Sequence, residues 1–568
     1  MQGSKIVSAV WLCLMPGLLT AEEASTLAPV SQNHSNGSVV NETVDTAELI
    51  HILIKEGVLE EKRLEELLKE AKQQKARDYN AAIETVAEKD LEREDNGHQQ
   101  NGKVRVPYIP AYIKDEIRDR VRSELREEVV ADVMAQARKE SWGVPGTNPS
   151  WTKKIKLSGD IRLRAESIQF AEKNSLQDID GDPILYLDYT AINDAGGVLA
   201  AGEDAFFNIT QNRDRLRLRA RLNVKAEVTP GIEAGMRIVS GNIDDPVSAN
   251  ETLGDYGSGI DISLDRAYVK YNNYLNTIEL FGGRFANPFF STDLVWDNDY
   301  NFEGLAATYW YLRSDTWDED DIYIDPFLTL GVFPLKELEL SSNDTWLVAA
   351  QTGFNFTPAS QNILTMALAY YNFIDIHGER NSLNSIENNV TAPEFFQKGN
   401  LVFDISNDSD PDTQLFALAA DYDLVNLTLE YDIARFAPHH IIVGVDYVKN
   451  IGFDVAEIAQ RAKVSESVVL ERVDGYSVKV VYGWPQVTKR RDWQVEFIYK
   501  NLERDAVVDA FTDSDFHLGG TDGKGFIFKY KYGLAENTSL DFKWLNSDEI
   551  DLLPFGVDIF QLDIVSKF

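Results

Sequence analysis

From residue 151 onward the hydrophobic period of the chain is two. Ile155, Leu157, Gly159, Ile161, Leu163 and Ala165 alternate with Lys156, Ser158, Asp160, Arg162, Arg164 and Glu166. Further on, Leu216, Leu218, Ala220, Leu222 and Val224 are interleaved with Arg213, Arg215, Arg217, Arg219 and Arg221. Successive side chains of a strand point to opposite faces, so each segment has one apolar face and one charged face. Comparable segments recur at 231–241, 260–272, 276–286, 302–312, 326–335, 346–357, 361–373, 412–424, 425–436 and 439–450. A last group follows at 474–486, 491–502, 523–533, 537–546 and 558–568. Most have the length needed to cross a bilayer at a tilt.

The connections alternate as well. Short turns such as 229–231, 357–360 and 533–537 are separated by long polar stretches at 170–212, 242–259, 374–411, 451–473 and 503–522. Short turns on one side and long loops on the other are the habit of outer-membrane barrels. Aromatics gather near segment ends, as at Tyr309-Trp310-Tyr311, Tyr370-Tyr371 and Trp544, which suits interfacial girdles. A soluble sandwich rarely needs so many strands of this length, and a propeller or β-helix has a fixed repeat that is missing here. No run of 18 apolar residues follows the N-terminal segment, which excludes a helical membrane protein. The fold class is therefore an all-β transmembrane antiparallel β-barrel over 151–568. The segments above number seventeen, whereas single-chain bacterial barrels have even strand numbers. Loop parity breaks at residue 439, so either 425–450 is wrongly divided or a strand between about 374 and 450 is missed. About 16 strands are expected, with 18 as the alternative.

The region before residue 151 reads as helical. Lys5 and the apolar run Ile6 to Leu19 have the form of a signal peptide over 1–21, too short for a span. The chain's single cysteine, Cys13, lies within it. Residues 22–44 read as a flexible linker. Residues 45–95 carry Leu49, Ile50, Ile52, Leu53 and then Leu64, Leu67, Leu68 and Ala71, suiting a helical hairpin or coiled coil. Residues 96–150 combine the proline-punctuated strip Val104 to Pro110 with a charged helix from Ile113 to Glu140.

Charge excludes one class of partner. The chain holds 92 acidic and 55 basic side chains, a net charge of −37, so no nucleic acid is expected. Residues 1–149 contribute −7 and the remainder −30. The final strand has its own pattern: Phe560, Leu562, Ile564 and Phe568 share one face with Ser566. An apolar edge strand is an aggregation hazard unless it closes a barrel.

In the order of its segments, the chain resembles the putative porin family of Gram-negative outer membranes. The stretches that carry the likeness are Leu49 to Leu59, Val104 to Pro110, Ser158 to Arg164, Ser263 to Val269, Gly282 to Pro288, Gln397-Lys-Gly-Asn400 and Phe511 to Phe516. The resemblance implies an outer-membrane channel for ions and small hydrophilic solutes, with helices in the periplasm and no catalytic residues. Outer-membrane lipid, the barrel assembly machinery and a homotrimer are its implied partners. Ending in Phe568 resembles that machinery's assembly signal, with Phe560, Leu562 and Ile564.

A lipid-facing arginine near mid-bilayer costs roughly 2–4 kcal/mol, so the ladder Arg213, Arg215, Arg217, Arg219 and Arg221 is expected to line the lumen. Arg162, Arg164, Arg237, Arg266 and Arg284 are expected to join it. The segment 287–303, with Asp293, Asp297, Asp299 and Glu303, is expected to fold inward opposite this wall as a constriction loop. Alternatively this loop merely extends outside and the arginines pair with acids on neighbouring strands. No cofactor or metal site is expected. His439 and His440 are adjacent and face opposite ways on a strand, and the acids at 315 and 318–321 lack ordered ligand spacing. Hydrolase, zinc-helix and phosphate-loop motifs are missing. Two functions remain: a diffusion channel, or a structural or adhesive barrel with a blocked lumen whose N-terminal helices engage the cell wall or a partner. A barrel hydrolase is a distant third.

Overall fold

In a computed structural model the described residues are 154–174, 186–241, 245–311, 322–339, 344–358, 362–408, 410–551 and 553–568. The expected signal peptide, linker and helices, and the acids at 315–321, lie outside the described residues. Sixteen long antiparallel strands close into one barrel, numbered here in chain order, and the two-residue strand Glu251–Thr252 pairs with the second of them without joining the count. They are β1 (Ile155–Phe170), β2 (Arg213–Thr229), β3 (Ile232–Ser240), β4 (Ile262–Asn272), β5 (Ile278–Ala286) and β6 (Asn301–Trp310). Next come β7 (Tyr323–Lys336), β8 (Thr345–Thr357), β9 (Ile363–Ile374), β10 (Asp423–Ile433) and β11 (His440–Asn450). The circuit is completed by β12 (Asp474–Gly483), β13 (Trp493–Leu502), β14 (Gly523–Ala535), β15 (Thr538–Glu549) and β16 (Gly556–Lys567). Among the described residues no helix is long and apolar enough to cross a membrane.

The seventeenth expected segment, 412–424, is not a barrel strand. Its last two residues, Asp423 and Leu424, already open β10, and before them Phe416–Leu418 forms a short strand that pairs with Val402–Asp404 inside the β9–β10 loop. Its alternation was real but belonged to a buried loop: Ala417, Leu418, Ala419, Ala420 and Tyr422 are all nearly inaccessible. The count is sixteen, and the parity break had neither of the two causes expected for it.

The strand faces are inverted relative to a water-soluble protein. On β1, Ile161 and Leu163 are exposed, whereas Arg164 is 2% exposed and Glu166 5%. On β16, Phe560, Leu562 and Ile564 are exposed, whereas Gln561 and Asp563 are buried. Apolar side chains outside and charges inside are what a lipid solvent selects. Not every aromatic joins the outer belt: Tyr370 does, but Tyr371 points inward and is completely buried.

Closure follows from register. Strand β1 pairs with β16 from Asp160↔Lys567 to Phe170↔Val557 and with β2 from Ile155↔Ala226 to Ile168↔Arg213. The last residue completes the seam, with Gly159 N–H donating to the Phe568 carbonyl at 2.8 Å and Phe568 N–H donating back at 3.0 Å. The Phe568 ring occupies the space over Gly159, where a Cβ would strike both the ring and the Arg221 carbonyl. Ser566 sits 3.2 Å from the Thr538 hydroxyl, Oγ to Oγ1, so its polar group is satisfied within the wall.

Gly159→Val is therefore expected to destabilise the closed barrel by about 1–3 kcal/mol through overpacking at the seam. The check is the thermal midpoint in detergent, which should fall relative to the wild type.

Candidate functional site

The inward face of β1 and β2 carries the expected arginines, and the structure places an acid beside most of them. Arg164 holds Asp563 with two bonds, Nε at 2.8 Å and Nη2 at 2.9 Å, and reaches Asp515 at 3.0 Å. Arg215 bonds Glu166 across the strand pair. Asp160 receives Arg221 Nε at 2.7 Å and Arg219 Nη2 at 3.3 Å. Arg213 lies exposed at the loop-side end of β2. Arg162 and Arg217 are the least compensated. Arg162 bonds Asn250 and lies 4.0 Å from Asp563, while Arg217 donates to the Asn250 carbonyl at 3.4 Å; each leaves its buried Nε without a partner.

A β-bulge between Arg237 and Ile238 skips Asp265 in the register with β4. Asp265 pairs with Arg237, and Asn301 accepts from Arg266 at 2.6 Å. Arg284 donates to the Asp265 carbonyl at 2.9 Å and pairs with Glu303, which lies directly opposite on β6.

The segment Asn287 to Tyr300 leaves the wall after β5 and returns as β6. Glu303 is thus not on this loop but on a strand. The loop's polar groups meet side chains from four strands. Asp299 receives Arg219 at 3.2 Å and Arg221 at 3.1 Å from β2. The Gln351 amide of β8 exchanges two 2.8 Å bonds with the Phe290 backbone. Thr292 donates to Asp446 of β11, and Lys500 of β13 donates to the Asp293 carbonyl at 2.9 Å. Asp299 thus touches the basic wall directly rather than facing it across a gap. The arginines of this wall also pair with Asp160 and Glu166 of the neighbouring strand.

Apolar groups fix the loop as firmly as charges do. Trp296 packs edge-on to Tyr371 and Phe302 and stacks on Tyr300, while Phe289 meets Phe302, Phe333 and Tyr371. Phe511, from the β13–β14 loop, closes on Trp296 and Tyr300. Asp297 N–H donates to the Phe511 carbonyl at 2.8 Å, and the Asp297 carboxylate accepts from Ser514 N–H at 3.0 Å. Loops β9–β10, β11–β12 and β13–β14 add Phe396, Ile405, Ala420, Ile458 and Val507 to the same core. The two loop motifs behind the family resemblance meet here. Gln397 Nε2 donates to the Asp509 and Thr512 carbonyls at 2.8 Å, and Asn400 Nδ2 to the Arg504 and Val507 carbonyls at 2.6 and 2.9 Å.

Sequence reasoning missed a second basic series on the inward face of β12 to β15. Lys479 bonds Glu430 at 2.6 Å, Lys529 bonds Glu496 at 3.0 Å, and Lys543 bonds Asp515 at 2.7 Å. Lys500, 1% exposed, sits between Asp293 and Asp513 with Phe516 under its ammonium. Spaced one per strand, these lysines give no ladder in the sequence. Of the two histidines, His440 bonds Asp432 at 2.8 Å and His439 packs among Tyr482, Trp484 and Trp493.

Charges in the loops are held unevenly. Burial works to raise the Asp293 carboxyl, but the Lys500 ammonium prevails and holds it down at about 2. Burial likewise opposes ionisation of Asp515, yet Arg164 and Lys543 keep it well below the usual carboxylate range. Asp505 and Asp509, in the loop core, are pushed up to about 7 by burial. Lys398 is pushed down to about 8 by the same cause.

A closed sixteen-stranded barrel with an apolar exterior, a charged inner face and an inturned loop is the architecture of an outer-membrane channel. The sequence pattern of the family described as "Putative porin" matches residues 43–568, and the chain belongs to that family. No curated protein sequence matches it. Among solved structures it is similar to the outer membrane channel DcaP of Acinetobacter baumannii, at 12% identity over 73% of this chain and 97% of that one, TM-score 0.38. It is also similar to OprB of Pseudomonas putida at high pH, at 11% identity over 75% and 97%, TM-score 0.42. A third is a mutant porin of Rhodopseudomonas blastica, at 10% identity over 73% and 100%, TM-score 0.33.

Two outcomes follow from this geometry. Lys500→Met leaves Asp293 and Asp513 buried without their cation, and is expected to cost about 3–5 kcal/mol. Chemical denaturation of the detergent-folded protein measures it. Second, a carboxyl raised above its ordinary 3.8 stabilises the fold fully below that value, and the contribution is lost as pH rises through about 7. Lys398, depressed from 10.5 to about 8, titrates above that window. Loop 503–522 should therefore exchange amide hydrogens faster at pH 8 than at pH 5, after correction for intrinsic rates.

Proposed function

We propose that the protein is a passive diffusion channel for ions and small hydrophilic solutes, constricted where the loop 287–300 meets the arginines of β2. The observation that carries this reading is Asp299 bridging Arg219 and Arg221 at 3.2 and 3.1 Å, a loop carboxylate seated on the basic ladder. Acids and bases set side by side in a passage create a transverse field that filters solutes by size and dipole. In this reading Arg162, Arg164, Arg215, Arg217, Arg219, Arg221, Arg266 and Arg284 line the pore, with Arg213 at its mouth. Asp293 and Asp297 anchor the constriction loop, and Asp299 faces the solute; Glu303 acts from the wall.

Selectivity is weakly for cations. The ladder's positive charge is largely offset by Asp160, Glu166, Asp299, Asp515 and Asp563, so the −30 of the barrel region decides which ions gather at the mouths. In planar bilayers under a salt gradient, Arg217→Glu/Arg219→Glu is expected to shift the reversal potential further towards cation preference. An unchanged potential would exclude these arginines from the ion path.

The density of the loop core favours a second reading, in which the lumen is blocked and the barrel is structural or adhesive. Single-channel recording separates them: steady ohmic steps support the channel, and a silent bilayer the blocked barrel. The placement of the N-terminal helices in the periplasm, assembly through the Phe560, Leu562, Ile564 and Phe568 face, and a homotrimer complete the proposal. Crosslinking in native membranes tests the last.

A further inference from the structure

On the loop side lies a cavity of about 840 Å³ whose lining includes Asp299 and Tyr300 of the constriction loop. Its walls come from the inward-turned loops and from the loop-side ends of β3 to β8. They combine carboxylates with aromatic faces: Asp245, Asp375 and Asp509 together with Tyr300, Phe396 and Phe511. Among the described residues two cations line it, and both are engaged. Arg284 pairs with Glu303, and Lys336 donates to the Ala392 carbonyl at 3.0 Å and lies 3.8 Å from Glu394. Among the described residues no ion pair is formed by Asp245, Asp375 or Asp509. Asp509 is 1% exposed and keeps Oδ1 without a hydrogen-bond partner, while its other oxygen accepts from Gln397 N–H at 3.1 Å. Behind the walls, Lys398 acts on Asp509 and Arg217 on Asp245 through space, without bonding either.

We propose that this cavity binds an organic cation, a primary ammonium carried on a compact apolar body. An ammonium matches carboxylates that no side-chain cation bonds, since it supplies several N–H donors and a full charge. The apolar body matches the faces of Tyr300, Phe396 and Phe511, which also attract cations through their ring quadrupoles. A purely inorganic cation would leave those rings unused, and an anion would face more carboxylates than cations, both cations being already engaged. The site deepens the channel reading, on which it rests for its access from the loop side, by naming a class of solute held before the constriction.

The test uses the full chain folded in detergent and three probes of one shape: benzylamine, benzyl alcohol and benzoate. Isothermal titration should show benzylamine binding at least about tenfold more tightly than the other two. In Asp245→Asn/Asp375→Asn its affinity should fall by about tenfold, while benzyl alcohol is unaffected. Should that variant not fold, raising the salt concentration on the wild type gives the same information, because a charge-driven affinity must drop. Benzoate or benzyl alcohol matching benzylamine, or no response to charge removal or salt, would overturn the proposal. Calorimetry does not depend on conduction. Binding in a protein that is silent in bilayers would sink the channel while leaving this site standing, and conduction without binding would do the reverse.

Discussion

A backbone in lipid has no water to bond, and every strand edge must find another strand. That constraint shapes the rest of this molecule. It requires the circuit from β1 to β16 to close, and the last residue takes part by exchanging two backbone bonds with Gly159. It also sorts the side chains, because only the inner face tolerates Arg164, Asp563 and their neighbours. Once charges are gathered inside, they need partners, and the wall alone does not supply enough. The loops turn inward carrying Asp299, Asp293, Asp513 and Asp515, and each meets a lysine or an arginine.

The inward loops also bring their own hydrophobic core. Trp296, Tyr371, Phe302 and Phe511 pack as they would in a soluble domain. Burial is deep enough to push Asp505 and Asp509 up to about 7, so polar groups are being held where water is scarce. Ionic contacts and aromatic packing thus act on one loop at once. The first sets its position against β2, the second its position against β9.

The barrel was legible in the sequence because period two is a local property that each strand repeats. Closure was legible from Phe560, Leu562, Ile564 and Phe568 sharing a face. The arginines of β2 were legible because five of them stand two apart. What escaped was most of the pairing made by long-range approach. Lys500 and Asp293 are remote in sequence, and neither stands in a pattern. The segment 412–424 misled for the opposite reason: a buried loop strand alternates as a lipid-facing one does, and nothing local says which apolar surroundings it has. Glu303 looked like loop because it follows Asp297 and Asp299, yet β6 begins at Asn301.

Because four loops share that single core, they are not free to change independently. Loops are ordinarily the most variable parts of a protein, since they tolerate substitution and insertion better than the elements they connect. Here the residues open to such drift are the exposed ones, such as Leu383 and Ile386 or Val464 and Val468. Gln397, Asn400, Trp296 and Phe511 instead join one loop to another, where one replacement disturbs several loops together. A lineage of these proteins should therefore diversify at the exposed residues of its loops while the interlocked ones stay fixed.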